Sequence, residues 1–392
     1  MRNLNHVFYQ DFAHWRDRIH VCFCSSSGMT CVIDWDDFSG GSVLNQLLNT
    51  ENELIKASRV TVLVRGENNA KRLGEMGVET VLFESLDDTA LLEKVASQHD
   101  GKPSSFHFNY GRVLIKTVVV IHTASGFHPP SAAALIRGLG KRRKEVGGDP
   151  RYIHTSGVSN FADRPITGQH HETREFVDTD LDLYAYLKKR EAQSAYPQRT
   201  TDVTVVETGK EEGIRTYIIV APTVYGVGSG IGKTYSGQIP KIIQVAIEDG
   251  YVSLLGDGKG VWNYVHVLDL AKLYELLLGS VLKGEVLPYG ERGFYFCGSG
   301  QFNWEEMAHG VANAGFELGA LKTKELKTVN LEEATQKFAG GDAALAELCL
   351  ASNSRTRAVL AELLGWRPKK SAEDFKKNFM EEFRIFYKAT SS

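Results

Sequence analysis

Cysteine, proline and methionine are scarce in this chain of 392 residues, at five, ten and five copies. The cysteines (Cys22, Cys24, Cys31, Cys297 and Cys349) are unevenly spaced, which argues against a disulfide framework and for reduced thiols. Cys22 and Cys24 with Cys31 lack a fourth ligand at a metal-binding spacing. The pair His170-His171, even with His154, lacks a spaced carboxylate, so no metal centre is expected. Charge is also nearly balanced: the net value is -3 and no basic run exceeds Lys141-Arg142-Arg143. Nothing there would gather nucleic acid or an anionic membrane. No apolar run reaches membrane-spanning length, and the first twenty residues carry Asp11, Arg16 and Asp17 instead of a basic and then apolar leader. The expectation is a cytoplasmic protein acting on a small-molecule substrate, compatible with a homodimer.

What is present is an alternation of short apolar runs with helix-period segments. The runs Val60 to Val64, Val78 to Phe83, Val118 to His122, Tyr152 to Thr155, Ile214 to Ala221 and Phe294 to Cys297 read as buried strands. Segments such as Ser131 to Glu145, Asp180 to Ser194 and Thr201 to Glu212 read as crossover helices. This predicts an α/β fold, a doubly wound parallel sheet of Rossmann type, with a smaller C-terminal substrate-side lobe. The expected division is an atypical segment 1–39, a dinucleotide-binding domain 40–225 and a substrate-binding lobe 226–392, with a strand near 293–297 returning to the sheet. Ligands in such sheets sit outside the carboxyl ends of the strands.

Ser156 ends one apolar strand, and a polar loop leads to a helix carrying Tyr184-Ala185-Tyr186-Leu187-Lys188. Tyr184 and Lys188, four apart, share a helical face. An ammonium beside a phenol stabilises the phenolate and brings its titration nearer neutrality. Tyr184 would then act as acid or base on a carbinol or carbonyl oxygen that Ser156 holds by a hydrogen bond. The next strand ends in Ala221-Pro222-Thr223-Val224-Tyr225-Gly226, and Trp262 to Ala271 and Ser352 to Arg355 follow in order. Together these motifs resemble the extended short-chain dehydrogenase/reductase family, the NAD-dependent epimerase/dehydratase group that includes dihydroflavonol-reductase-like enzymes. The resemblance implies that Ser156, Tyr184 and Lys188 are catalytic and that Lys188 also anchors the cofactor ribose. It implies that Thr123, Ala124 and Ser125 form a cofactor-contacting turn, and that Pro222 and Tyr225 flank the nicotinamide.

The glycine loop that such enzymes need is missing. Gly40 and Gly41 match the motif's end and the start of its helix, but counting back puts Asp34 and Asp37 where earlier glycines belong, and their carboxylates would repel a pyrophosphate. His20 to Ser27 is a poor first strand. A polar and aromatic stretch near 101–116 also lengthens a connection that is usually short. Both stretches read as products of altered gene reading, such as retained introns. At the end of the second strand Arg65 stands where an acidic residue would select NAD, which favours NADP over NAD.

The leading expectation is an NAD(P)-dependent oxidoreductase passing a hydride between NADP(H) and a carbonyl or alcohol of a small organic substrate. The alternatives are a nucleotide-sugar epimerase/dehydratase and a non-catalytic NAD(P)-binding protein. A nucleotide diphosphate would draw on Arg292, Arg355, Arg357 or Arg367. The glycine-rich run Gly226 to Thr234 fails the phosphate-loop spacing at Val227 and reads as a flexible loop over the substrate pocket. The amphipathic stretch Lys369 to Tyr387 is expected to dock on its own domain.

Overall fold

The computed structural model describes residues 22–25, 38–98, 117–230, 232 and 234–391, with backbone alone at 22–25, 38, 98 and 389–391. Asp34, Asp37 and the stretch 101–116 lie outside the described residues.

The strands are β1 (Cys22–Ser25) and, mostly on runs with β-branched residues, β2 (Arg59–Val64), β3 (Glu79–Leu82), β4 (Val118–His122), β5 (Arg151–Gly157), β6 (Glu175–Val177), β7 (Arg215–Ala221) and β8 (Thr223–Tyr225). Further along lie β9 (Val252–Leu255), β10 (Val261–His266), β11 (Phe294–Phe296), β12 (Gly300–Asn303), β13 (Leu326–Val329) and β14 (Arg355–Arg357). Seven of them make the main sheet in the order β11-β7-β5-β4-β1-β2-β3. Registers such as Val62 with Thr80, Ile121 with Ile153 and Ile153 with Tyr217 run in parallel. Val118 to His122 are buried throughout, as expected where helices cover both faces.

The helices that matter for the site are α1 (Phe38–Leu48), α2 (Glu67–Glu75), α3 (Thr89–Gln98), α4 (Pro129–Val146), α5 (Leu183–Gln193) and α6 (Pro197–Glu212). They are followed by α7 (Gln238–Asp249), α8 (Val267–Leu282), α9 (Trp304–Glu317) and α10 (Ala372–Ser391). The helices α3, α4 and α6 pack side by side, while α1 packs against α8. At Gly138 of α4 an added Cβ would lie 2.4 Å from the Glu93 carbonyl oxygen, so only glycine permits that approach to α3. Alternating strands and helices thus give the doubly wound α/β sheet that the sequence predicts.

One strand breaks the pattern. Cys22–Ser25 occupies the central slot, yet it runs antiparallel to both neighbours, with Cys22 opposite Val62 and Ile121 and Ser25 opposite Arg59 and Val118. The chain therefore leaves this slot at the amino edge of the parallel strands. A Rossmann first strand leaves at the carboxyl edge, directly into its phosphate loop.

The later part of the chain adds a small sheet β12-β10-β8 and the pairs β13-β9 and β14-β6, while β11 joins the main sheet beside β7. A capping box between Asn303 and Glu306 starts α9. Phe375, Phe379 and Phe383 of α10 are buried, with Phe375 stacked on Tyr264 at 4.1 Å, so the amphipathic stretch docks on its own lobe. Among the described residues no helix is long and apolar enough to cross a membrane.

Candidate functional site at the carboxyl edge of the sheet

The loops after β4, β5 and β7 meet at the carboxyl edge. Ser156 is the next-to-last residue of β5 and is nearly enclosed. Its Oγ donates to Asp202 Oδ2 of α6 at 2.8 Å, and Asn160 Nδ2 donates both to Ser156 Oγ at 3.1 Å and to Asp202 Oδ2 at 2.6 Å. Behind them, His154 Nε2 lies 3.8 Å from Asp202 Oδ1. That spacing would be an ion pair only with a charged imidazole, and burial pushes His154 down to about 3, so the ring is neutral. Burial also raises the Asp202 carboxyl to about 7, against the opposing bonds from Ser156 and Asn160. Deeper still, the ring centroid of His122 is 5.1 Å from that of His154, and its Nδ1 is 2.6 Å from Tyr152 Oη.

The Tyr184–Lys188 expectation is corrected by this geometry. The two side chains do share a face of α5, but they meet Glu207 of α6 rather than Ser156: Tyr184 Oη donates to Glu207 Oε1 at 3.2 Å and Lys188 Nζ does so at 2.7 Å. Five residues along α6 turn Glu207 well away from the Asp202 face and carry it about 7.5 Å toward the helix C-terminus. The turn Gly290–Arg292, which precedes β11 at the amino edge, packs against both α5 and α6. Lys210, one turn beyond Glu207, reaches Glu291 there at 3.3 Å. The motif therefore lies toward the wrong end of the sheet. Its electrostatics are reversed as well, because burial and then the Glu207 charge raise the Tyr184 phenol. In the same motif Tyr186 is a packing residue, stacked on Phe161 and bonded to His170 and Arg190.

A different tyrosine, not singled out in the sequence, stands where chemistry is expected. Tyr196 is the N-cap residue of α6, the crossover helix between β5 and β7, and Pro197 occupies its first turn. The ring is buried edge-on against Phe127 of the loop after β4, at 5.8 Å. Its Oη donates to Ser159 Oγ at 3.2 Å, in the turn just after β5, and Ser159 donates to Gln198 Oε1 at 2.5 Å. One turn on, where a lysine would support the phenol, stands Thr200, bonded to the Tyr196 carbonyl and to Glu191. Arg199 is near, with its guanidinium carbon 5.7 Å from the Tyr196 ring centroid. It also donates to Glu191, the Asn160 carbonyl and the Ser194 carbonyl. Burial raises the Tyr196 phenol, so it stays protonated. The signal that would have found it is Pro197, which marks the start of a helix and so places Tyr196 at its N-cap.

The residues expected to contact a dinucleotide divide. Thr123, Ala124 and Ser125 are buried immediately beyond β4, with the Thr123 hydroxyl unpartnered among the described residues and Ser125 Oγ accepting from Phe127 N at 3.0 Å. Gly40 and Gly41 lie in the first turn of α1, beside the loop after β8, where Ser229 N donates to Ser42 Oγ at 3.2 Å and Gly230 abuts the Gly41 backbone. Arg65 follows the last residue of β2. Pro222 is buried between β7 and β8. Tyr225 departs from its expected place: its ring is walled in by Tyr264, His266 and Phe375 in the C-terminal lobe, not open beside a nicotinamide. A helix start with two glycines and an unpartnered buried hydroxyl on the adjoining strand end fit a dinucleotide. Lys188 falls outside that set.

Comparison with known proteins agrees with the fold. Residues 151–288, from β5 to beyond α8, match the NAD dependent epimerase/dehydratase family. The chain is 23% identical over 352 residues to the oxidase ucsJ of an Acremonium species, covering 84% of this chain and 90% of the relative. It is 24% identical over 340 residues to an uncharacterized protein of Schizosaccharomyces pombe, covering 84% and 92%. Among solved structures, the dTDP-glucose 4,6-dehydratase DesIV of Streptomyces venezuelae, which holds NAD and TYD, aligns with a TM-score of 0.57 at 16% identity, covering 92% of this chain and 97% of that one. The UDP-glucose 4-epimerase of Thermotoga maritima, with UDP-glucose, aligns with a TM-score of 0.54 at 16% identity, covering 92% and 100%. At such identities the structural likeness is one of fold. Residues 151–288 are thus similar to the NAD dependent epimerase/dehydratase family, and the chain shares the Rossmann-type fold of these solved dehydratase and epimerase structures.

Proposed function

We propose that this protein is an NADP(H)-dependent reductase of a carbonyl group on a small organic substrate, working at the carboxyl edge beside Ser156. The observation that carries the reading is that one turn, Val158–Phe161, holds both hydroxyls, Asn160 bonding Ser156 and Ser159 bonding Tyr196, with the Tyr196 ring against Phe127 just beyond the Thr123–Ser125 turn. A bound nicotinamide would supply the hydride. Gly40, Gly41, Thr123, Ala124 and Ser125 would hold the dinucleotide, Pro222 would border it, and Arg65 would meet a 2′-phosphate. Ser156 positions the carbonyl oxygen. Tyr196, kept neutral by burial, gives its proton to that oxygen as the hydride arrives at carbon, since an alkoxide is a stronger base than a phenolate. A phenol that stays protonated suits reduction better than proton abstraction from an alcohol.

A nucleotide-sugar substrate is less well supported. Arg355 donates to the Thr173 carbonyl, Arg357 faces Glu175 at 3.6 Å and Arg367 donates to the Glu362 and Trp366 carbonyls. Arg292 belongs to the turn at the amino edge. The test is a fluorescence titration with NADPH and NADH, followed by a reductase screen over ketones and aldehydes. Tighter binding of NADPH with turnover of at least one carbonyl is expected. Binding of neither cofactor would leave a non-catalytic protein as the better reading.

A further inference from the structure

Ser156 has one proton to give and two lone pairs with which to accept. With Asp202 as a carboxylate, the proton goes to Asp202 and Asn160 takes one lone pair. One lone pair then remains to face the crevice, and it can accept only from a donor such as an alcohol. With Asp202 as a carboxylic acid, Asp202 donates to Ser156 Oγ and Asn160 fills the other lone pair. The Ser156 proton is then free to point at a carbonyl oxygen. We infer that Asp202 is a positioning residue whose protonation sets Ser156 as donor to a carbonyl or acceptor from an alcohol, and so selects which side of the reaction the site binds. This rests on the carbonyl-reductase reading of the same site.

The surroundings suit such a switch. Asp202 is fully buried, and among the described residues its Oδ1 has no hydrogen-bond partner and neither ring nitrogen of His154 has one. The groups facing it are Ser156 and His154 from β5, Asn160 from the turn Val158–Phe161 and Arg199 from its own helix. Behind His154 lie His122 of β4 and Tyr152 of β5. The His154 and His122 rings are held neutral by burial, and Arg199 keeps its charge, so the protonation change falls on Asp202. Burial brings that change to about pH 7.

The experiment is an infrared pH titration of the full chain with labelled aspartate, paired with steady-state reduction of phenanthrenequinone by NADPH. In the wild type a carboxylic acid carbonyl band should vanish as pH rises through neutrality, and it should be absent from Asp202→Asn. In Ser156→Ala the band's midpoint should move upward, because the hydrogen bond that favours the carboxylate is gone. Quinone kcat/KM should fall about tenfold per pH unit above the wild-type midpoint and stay flat in Asp202→Asn, whose amide always donates to Ser156. A wild-type spectrum that shows no titrating band beyond those kept by Asp202→Asn, such as that of Asp178, or a midpoint that Ser156→Ala does not move, overturns the switch even if the quinone is reduced. Absence of quinone turnover with the infrared behaviour intact overturns the reductase reading for this carbonyl and leaves the switch standing.

Discussion

Two faces of one helix, α6, carry two look-alike clusters. On one, Asp202, fully buried at the carboxyl edge, receives the hydroxyl of the nearly enclosed Ser156. On the other, Glu207 receives the Tyr184 phenol and the Lys188 ammonium, with the lysine and glutamate side chains about half exposed. Both pair a hydroxyl with a carboxylate. They differ in depth and in which end of the sheet they occupy, and those two properties decide which can meet a ligand. The lesson is that a tyrosine and lysine one turn apart specify a face, while the strand ends specify a site.

Substitutions can break the comparison. The largest effect is expected at Tyr196→Phe, which should lower kcat for carbonyl reduction by about 100-fold or more while leaving NADPH affinity within about twofold, as stopped-flow turnover and fluorescence titration would measure. Retention of wild-type turnover would return the acid role to another group. Ser156→Ala should cost kcat/KM about 100-fold, mostly in kcat. In contrast, Tyr184→Phe and Lys188→Met should each leave kcat/KM within about threefold; a loss as large as that of Tyr196→Phe would restore the pair to the mechanism.

The smallest effect concerns stability. Asp202 titrates at about 7 in the folded chain against 3.8 for an ordinary aspartate, so the fold binds a proton that the unfolded chain releases. Folding stability from this group is full below pH 3.8 and is lost as pH rises through about 7. The buried carboxyls Asp178, at about 6, and Glu382, at about 8, act in the same direction. Asp202→Asn should therefore flatten, without abolishing, the decline of the urea midpoint between pH 4 and pH 8. An unchanged slope would mean that Asp202 titrates like a solvated carboxyl.

Much of the sheet was legible because its strands are short, β-branched and buried on both faces, a pattern that survives without knowledge of partners. Ser156 was legible for the same reason, as a polar residue closing such a run. Two things were not. The sequence offers α5 and α6 in succession, separated by Ser194 to Tyr196, and hydrophobic period does not say which one crosses between neighbouring strands. Nor does a four-residue segment such as Cys22–Ser25 encode its direction, since an antiparallel ladder satisfies the backbones of β2 and β4 as a parallel one would. Tyr225 misled in a related way, because its motif fixes the turn but leaves the ring to the neighbours that pack around it.

The contact between the Ser229–Gly230 backbone and the first turn of α1 ties two events into a single coordinate. The loop after β8 cannot lift without uncovering the Gly41 backbone, and a ligand that approaches Gly41 there meets Gly230 first. With glycine on both sides, at Gly41 and Gly230, no side chain stands between loop and helix, so a movement of either backbone is felt directly by the other.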